Sequence, residues 1–583
     1  MSSFSNLIER SRNFQWPKRK QWAHLPKILS PKERWLVLGL FFVILFSLMS
    51  LAVKDYLDKT EALPDYGGTY EEGIIGQPRF LNPVLAQTND ADRDLTQIIF
   101  SSLLKHDGRG NLIPDLAKNY EIKENGLVYE FFLKENIKWH DGETLTADDI
   151  VFTINTIQNP EYKSPLRINW NGVKVEKIDD YAVRFKLNNI YAPFLHNMTV
   201  GILPKHLWAG ISAQNFHLAQ YNHEPVGSGP YKFKELKQNK SGVIQSIELK
   251  KNKDFYLKDP YIENLIFEFF QNEETAIQAL NKKQVDGLNF FSAAQQSKIQ
   301  NKSANIYRIN LPRYYAVFFN QTKTKVLSDK TARLALAYAT DKKEIIEKIL
   351  NNEGLIADSP LLPNSLGYTK EIKIYDFAPE HAKNILRADG WKDTDGDGIL
   401  EKKINNENLK FEITLVTADW PELIKAANLI KEQWGKIGAK INLEIAGLGA
   451  IQEDYIRPRE YQAILFGEVL GSDPDPFAFW HSSQKRDPGL NLALYDNEKI
   501  DKVLEEARQN LDKKIRIEKY EEFQKLLVDD VPAVFLYSPA YLYPVNKKVK
   551  GVSLENLPLP SYRFSQIENW YIKTKRVEKN NQQ

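Results

Sequence analysis

The 583-residue sequence predicts an α/β protein carried behind one N-terminal membrane-spanning helix. Three observations lead there: one long uncharged apolar run near the start, a strand–turn–helix unit after residue 127, and a β-α-β-α-β order between residues 411 and 466.

The apolar run is Trp35 to Val53, 19 residues without a charge. At about 1.5 Å per helical residue it nearly crosses a hydrocarbon layer of about 30 Å. Eight basic residues, Arg10 to Arg34, precede it against Glu9 and Glu33, and Asp55, Asp58, Glu61 and Asp65 follow it. The positive-inside rule therefore places residues 1–34 in the cytoplasm as a basic tail and the body outside. Ser50-Leu51-Ala52 keeps a cleaved secretory signal open as the alternative, and both readings export the body. Residues 54–66 read as a polar tether.

Thr69 to Gly76 reads as the first strand of the body. Leu127, Tyr129, Phe131 and Leu133 form one apolar strand face, the turn Trp139-His140-Asp141-Gly142 follows, and Thr146 with Asp149 stands at capping-box spacing before a helix. Asp329 to Ala339 and Asp341 to Leu350 are packing helices. Phe411, Ile413 and Leu415 alternate in a strand, and Pro421 opens a helix that Gly438 closes. Ile441 to Ile445 is the next strand, Ile451 to Ile456 a short helix, and Tyr461 to Phe466 the third strand. This order predicts parallel strands with right-handed crossovers.

In open α/β sheets, ligands sit beyond the carboxyl ends of the strands. Two segments fall there, Thr417 to Trp420, which includes Asp419, and Glu468 to Asp475, which includes Asp473. A plain Asp-Pro-Asp-Pro turn explains the second equally well.

Composition removes several function classes. There are no cysteines, which excludes disulfides, thiol catalysis and a lipid-modified cysteine anchor. Removing the tail's eight basic and two acidic residues from the chain's 78 and 76 leaves 70 and 74, no pattern for nucleic acid. The nucleophile elbow, the phosphate loop and the H-E-x-x-H zinc pair are all missing, so the chain reads as a binding protein and not an enzyme.

Three motifs could hold an ion. Asp393-Thr394-Asp395-Gly396-Asp397-Gly398 matches the first half of a calcium loop, with Glu401 at its ninth position and Ile404 where the twelfth is normally Glu. An acidic turn is the alternative, and no other cofactor is expected. His206, His217 and His223 are spaced irregularly for nickel or zinc and read as surface histidines. Gly227-Ser228-Gly229-Pro230-Tyr231 reads as a tight turn rather than an anion cradle.

Leu112-Ile113-Pro114-Asp115-Leu116-Ala117, Trp139 to Phe152, Pro225 to Tyr231, Asn320 with Ala332-Arg333 and Ala335-Leu336, Ala382 to Trp391, and Val531-Pro532 occur in one order along the chain. In these landmarks the sequence resembles the extracellular solute-binding proteins of family 5, the oligopeptide-, dipeptide- and nickel-binding group of ABC importers. The resemblance runs from Gly67 to about Tyr543. It implies a two-lobed clamshell of the periplasmic-binding-protein type II with an extra subdomain. The implied layout is a first lobe 67–312 with an insertion at about 102–224, a second lobe 313–537, and a return to the first lobe with the C-terminal tail at 538–583. The implied partners are a peptide or peptide-like solute, a permease and a separate ATPase, with the body extracytoplasmic. A membrane-anchored sensor or adhesion module without transport is the alternative.

Peptide-binding members hold the ligand amine with an acid a few positions before an Asp-Pro-Asp stretch. Leu470 stands at that spacing, which puts free peptides in doubt and leaves Glu468 as the nearest carboxylate. The expected contacts are thus Glu468, Asp473, Asp475 and Asp419, with Tyr314, Tyr315, Trp420 and Trp480 as aromatic walls or, alternatively, core.

Overall fold

The computed structural model describes residue 18, residues 29–404 and residues 407–579. It divides into two compact units, Met1–Asp65 with Lys573–Gln583, and Tyr66–Ile572. Most of the expected basic tail, residues 1–17 and 19–28, lies outside the described residues.

The first unit holds the helix Pro31–Lys59, which has no buried residue. Ser30 and Glu33 close a capping box at its start, as Ser30 N–H donates to the Glu33 carboxylate at 2.8 Å. The helix outruns the apolar stretch by six residues, and the segment expected as a tether is ordered instead. Thr60–Asp65 is a strand, paired antiparallel with Lys573–Glu578. Arg576 explains the abrupt change from helix to strand. Its guanidinium donates to the Leu57 carbonyl at 3.1 Å, the Thr60 carbonyl at 2.9 Å and Thr60 Oγ1 at 2.8 Å. A cation thus satisfies carbonyls that a helix end leaves without partners.

The second unit is built on two large apolar cores. One gathers Tyr70 to Leu311 and Tyr541 to Trp570, the other Tyr314 to Tyr537. The second lobe has the strand order Lys440–Ala446, Glu412–Ala418, Ala463–Val469, Arg313–Phe319, and then the long strand Ala533–Asn546. The first three run parallel, as the sequence pattern requires, and Arg313–Phe319 is antiparallel to its neighbours. The helix Pro421–Gly435 covers them with Leu423, Ala427, Ile430 and Trp434, and Gly438 at φ +84° turns the chain out of it. The short crossover Ile451–Ile456 is a π-helix.

In the first lobe, Thr69–Ile75 runs parallel with Asn264–Phe270, and Ile244–Lys251 and Tyr231–Gln238 continue the sheet. A separate antiparallel sheet of four strands, Ala117–Lys123, Val128–Leu133, Ala182–Leu187 and Val173–Asp179, packs with the helix Ala147–Gln158. Thr146 and Asp149 form the capping box of that helix. Tyr129, Phe131 and Leu133 are fully buried, so the alternation read from sequence is the inward face.

Two passages join the lobes. One is Asn310 to Arg313, between consecutive strands. The other lies inside Ala533–Asn546, whose first half pairs with Arg313–Phe319 and whose second half pairs with Ala304–Asn310. Both passages border the same cavity.

Candidate functional site

The cavity has a volume of about 570 Å³ and is walled from three sides. Arg109, Asn111, His196 and Leu557 come from the first lobe, Asn310, Pro312 and Ser538 from the passages, and Gly471, Ser472, Asp473, Lys513 and Arg516 from the second lobe. Gly471 to Asp473 reach it because the strand Ala463–Val469 is adjacent to Arg313–Phe319, and Leu470 N–H donates to the Pro312 carbonyl at 2.8 Å.

Asp473 is not a free acid there. Its carboxylate lies 2.5 Å from Arg516 Nη2, both side chains are 8% exposed, and Arg516 also donates to Tyr520 Oη at 3.0 Å. Burial works against the guanidinium charge, but the hydrogen bond and charge of Asp473 outweigh it and raise the Arg516 pKa. Burial lowers the pKa of His196, with Asp473 opposing, so the ring is neutral near pH 7. His106, stacked on it at 6.0 Å, is pushed down by burial to about 3.

Asp475 serves a different contact. Tyr191 of the first lobe donates its hydroxyl to Asp475 Oδ2 at 3.2 Å, and Arg508 of the second lobe pairs with the same oxygen at 3.1 Å. The Arg508 guanidinium lies 4.9 Å from the Tyr191 ring and 4.3 Å from the Phe477 ring. This cluster clasps one lobe to the other.

Of the residues expected from sequence, only Asp473 lines the cavity. Glu468 is buried in the second lobe, where Tyr314 donates its hydroxyl to the carboxylate across the strand pair. Burial raises its pKa well above the usual carboxylate value, only partly opposed by that hydrogen bond, and Glu468 does not line the cavity. Tyr314 and Trp480 are core as well, with Trp480 packed against Phe318 at 6.0 Å and Phe535 at 5.8 Å. Tyr315 lies over Gly467 and stacks on Tyr537 at 5.3 Å. Asp419 and Trp420 are exposed outside the cavity, because their strand stands one place further from the hinge than Ala463–Val469. Lys513, Arg516, Arg109 and His196 gave no sequence signal, since only packing brings their distant elements together.

The remaining motifs fall elsewhere. His206 pairs with Asp141 at 2.8 Å and His217 packs on Phe80, with no shared metal geometry among the described residues. At Gly227 a side chain would meet the Ile99 carbonyl, and the Gly229 N–H donates to that same oxygen, so the segment is a close-packed turn. Asp393, Asp395 and Glu401 come together on a separate loop that does not line the cavity.

Residues 111–489 match the family described as bacterial extracellular solute-binding proteins, family 5. The chain belongs to this family. This family 5 protein is 32% identical over 525 residues to the oligopeptide-binding protein AppA of Bacillus subtilis, covering 88% of this chain and 93% of AppA. The structure of AppA in complex with a nonapeptide superposes with a TM-score of 0.71 at 30% identity, covering 88% of this chain and all of the other. NikZ from Campylobacter jejuni in complex with Ni(L-His) also superposes at a TM-score of 0.71, with 28% identity and 86% and 99% coverage. The two-lobed fold of the family 5 protein is thus shared by receptors whose ligands differ widely.

Proposed function

We propose that the chain is the membrane-held receptor of an ABC importer, enclosing a peptide or peptide-like solute between its lobes and delivering it to a permease driven by a separate ATPase. The observation that carries this reading is the cavity walled by both lobes and both passages, whose 570 Å³ falls within the range of about 300–1,000 Å³ usual for solute sites. The oligopeptide-binding relative supports a peptide as the cargo class.

The wall favours the carboxylate end of such a solute. Among the charged residues lining the cavity, Arg109, Lys513 and Arg516 stand against Asp473, which pairs with Arg516, while Arg109 also lies 3.9 Å from Glu555. Lys513 opens the helix Lys513–Asp530, whose N-terminus is itself capped by Asp512, which accepts the Lys514 N–H at 2.8 Å. Arg516 Nε, Ser472 Oγ and Ser538 Oγ are buried without hydrogen-bond partners on this wall. Leu470, buried at the position where the family resemblance implies an acid, offers an amine no partner.

Calorimetry of the full chain in detergent with one peptide in free, N-acetylated, C-amidated and doubly blocked forms tests both levels. N-acetylation is expected to change affinity less than about threefold and amidation to weaken it at least about tenfold, with Lys513→Gln reproducing the loss. Strict dependence on the amine refutes the carboxylate seat but leaves peptide cargo standing. No binding of any form across a peptide library refutes peptide cargo.

The exposed helix Pro31–Lys59, with a mean hydropathy of 2.8 in its most apolar window, supports a retained anchor. At 29 residues it extends about 43 Å, enough to span a bilayer with some tilt. The membrane-bound protein is expected at its full mass of 67.4 kDa. A mature chain beginning at Val53 would show the helix to be a cleaved signal.

A further inference from the structure

The loop between Trp391 and Lys402 is closed at its base by a bridge, as Lys392 N–H donates to the Glu401 carbonyl at 2.9 Å and Glu401 N–H returns the bond at 2.7 Å. Inside it, Asp393 accepts from Gly396 N–H at 2.7 Å and from Gly398 N–H at 3.1 Å. Gly398, at φ +83°, occupies the sixth position of the D-x-D-x-D-G run, where a calcium loop turns sharply. Asp393, Asp395 and Glu401 each bring one oxygen within 4.8 Å of the others.

Glu401 is the residue that needs explaining. Its side chain is 0% exposed; Oε2 accepts from Thr394 N–H at 2.9 Å and from Thr394 Oγ1 at 2.7 Å. Oε1 has no hydrogen-bond partner. A covered carboxylate oxygen without a donor is costly, so a cation is the natural complement. Among the described residues, the cation nearest it is Lys410, which reaches Asp397 at 2.8 Å and Asp395 at 3.3 Å and stays 3.6 Å from Glu401 Oε1. A lysine drawn towards three carboxylates marks where positive charge is favoured. It cannot supply the multidirectional coordination that the converging oxygens present.

We propose that Asp393, Asp395 and Glu401 form a calcium site, with Glu401 Oε1 as the buried ligand in place of the usual twelfth-position Glu, and with Asp397, now paired with Lys410, beside it. Only oxygen donors converge there, which suits a hard cation, and the irregular set suits calcium better than magnesium with its strict octahedron. The site stands apart from the cargo cavity and does not depend on what the lobes enclose.

The full chain in detergent, stripped with chelator, is melted with and without 10 mM calcium chloride and titrated with terbium, read by luminescence excited through tryptophan. Trp391, two residues before Asp393, supplies the nearby indole. Calcium is expected to bind at about 10⁻⁴ M and raise the melting midpoint by a few degrees, and chelator should reverse it. Asp395→Asn and Glu401→Gln, each preserving shape, should weaken binding at least tenfold, and Lys410→Gln, by removing the competing ammonium, should tighten it several-fold. No calcium-dependent shift and no terbium signal, or signals that survive both carboxylate variants, would overturn the site.

Discussion

Glu468 and Asp473 lie five residues apart, yet the fold gives them opposite surroundings. Glu468 lies near the end of a strand, its side chain turns into the core, and its hydrogen-bond partner is the Tyr314 hydroxyl, so burial raises its pKa well above the usual carboxylate value. Asp473 belongs to the loop beyond, turns towards the hinge and meets Arg516. Two equally covered carboxylates thus differ in their partners, a tyrosine hydroxyl for Glu468 and a guanidinium for Asp473. That difference makes the first a structural acid and the second part of a binding wall.

The comparison breaks most visibly at Arg516. Arg516→Met leaves Asp473 buried and unpaired, and should destabilise the body by about 3–5 kcal/mol in denaturant unfolding, with ligand affinity lost as well. An unchanged midpoint would show that Asp473 does not need its partner. At the clasp, Tyr191→Phe removes the hydroxyl bond to Asp475 and should weaken ligand binding about fivefold by costing the closed state about 1 kcal/mol. Equal affinities would mean that the clasp does not contribute to closure.

Glu468 offers the opposite sign. Its folded pKa is raised above the usual 4.5. Below that value, folded and unfolded chains both carry the proton. As pH rises the unfolded chain releases it while the folded chain keeps it, so stability falls through this window. Glu72 and Asp92, both raised to about 7 by burial, add to the same slope. Glu468→Gln should flatten the decline in melting midpoint between pH 5 and 8 without removing it; an unchanged slope would contradict a protonated Glu468. The smallest effect is expected at Trp420, exposed outside the cavity. Trp420→Ala should alter stability by less than about 0.5 kcal/mol and affinity by less than twofold.

Periodicity located the elements well because each depends on neighbours in sequence. Thr146 with Asp149, Pro421, Gly438 and the alternation through Tyr129 to Leu133 all sit where their patterns imply. The site was only partly legible. Asp473 was found because it follows a parallel strand, but the same rule also pointed to Asp419 and Trp420, since strand order across the sheet is not written in local pattern. That Thr60–Asp65 forms a strand was not legible, because its partner, Lys573–Glu578, lies some 500 residues away.

By itself the sequence determined the α/β class, the parallel core of the second lobe, the apolar helix and the family, because these rest on residue periodicity, length and motif order. Tertiary structure alone decided that Glu468 is buried in the core while Asp473 pairs with Arg516, that Lys513 and Arg516 line one cavity with Arg109, and that Glu401 is brought within reach of Asp393 and Asp395. Each of those depends on distances between segments far apart in the chain, and charge states follow from such distances through desolvation and pairing.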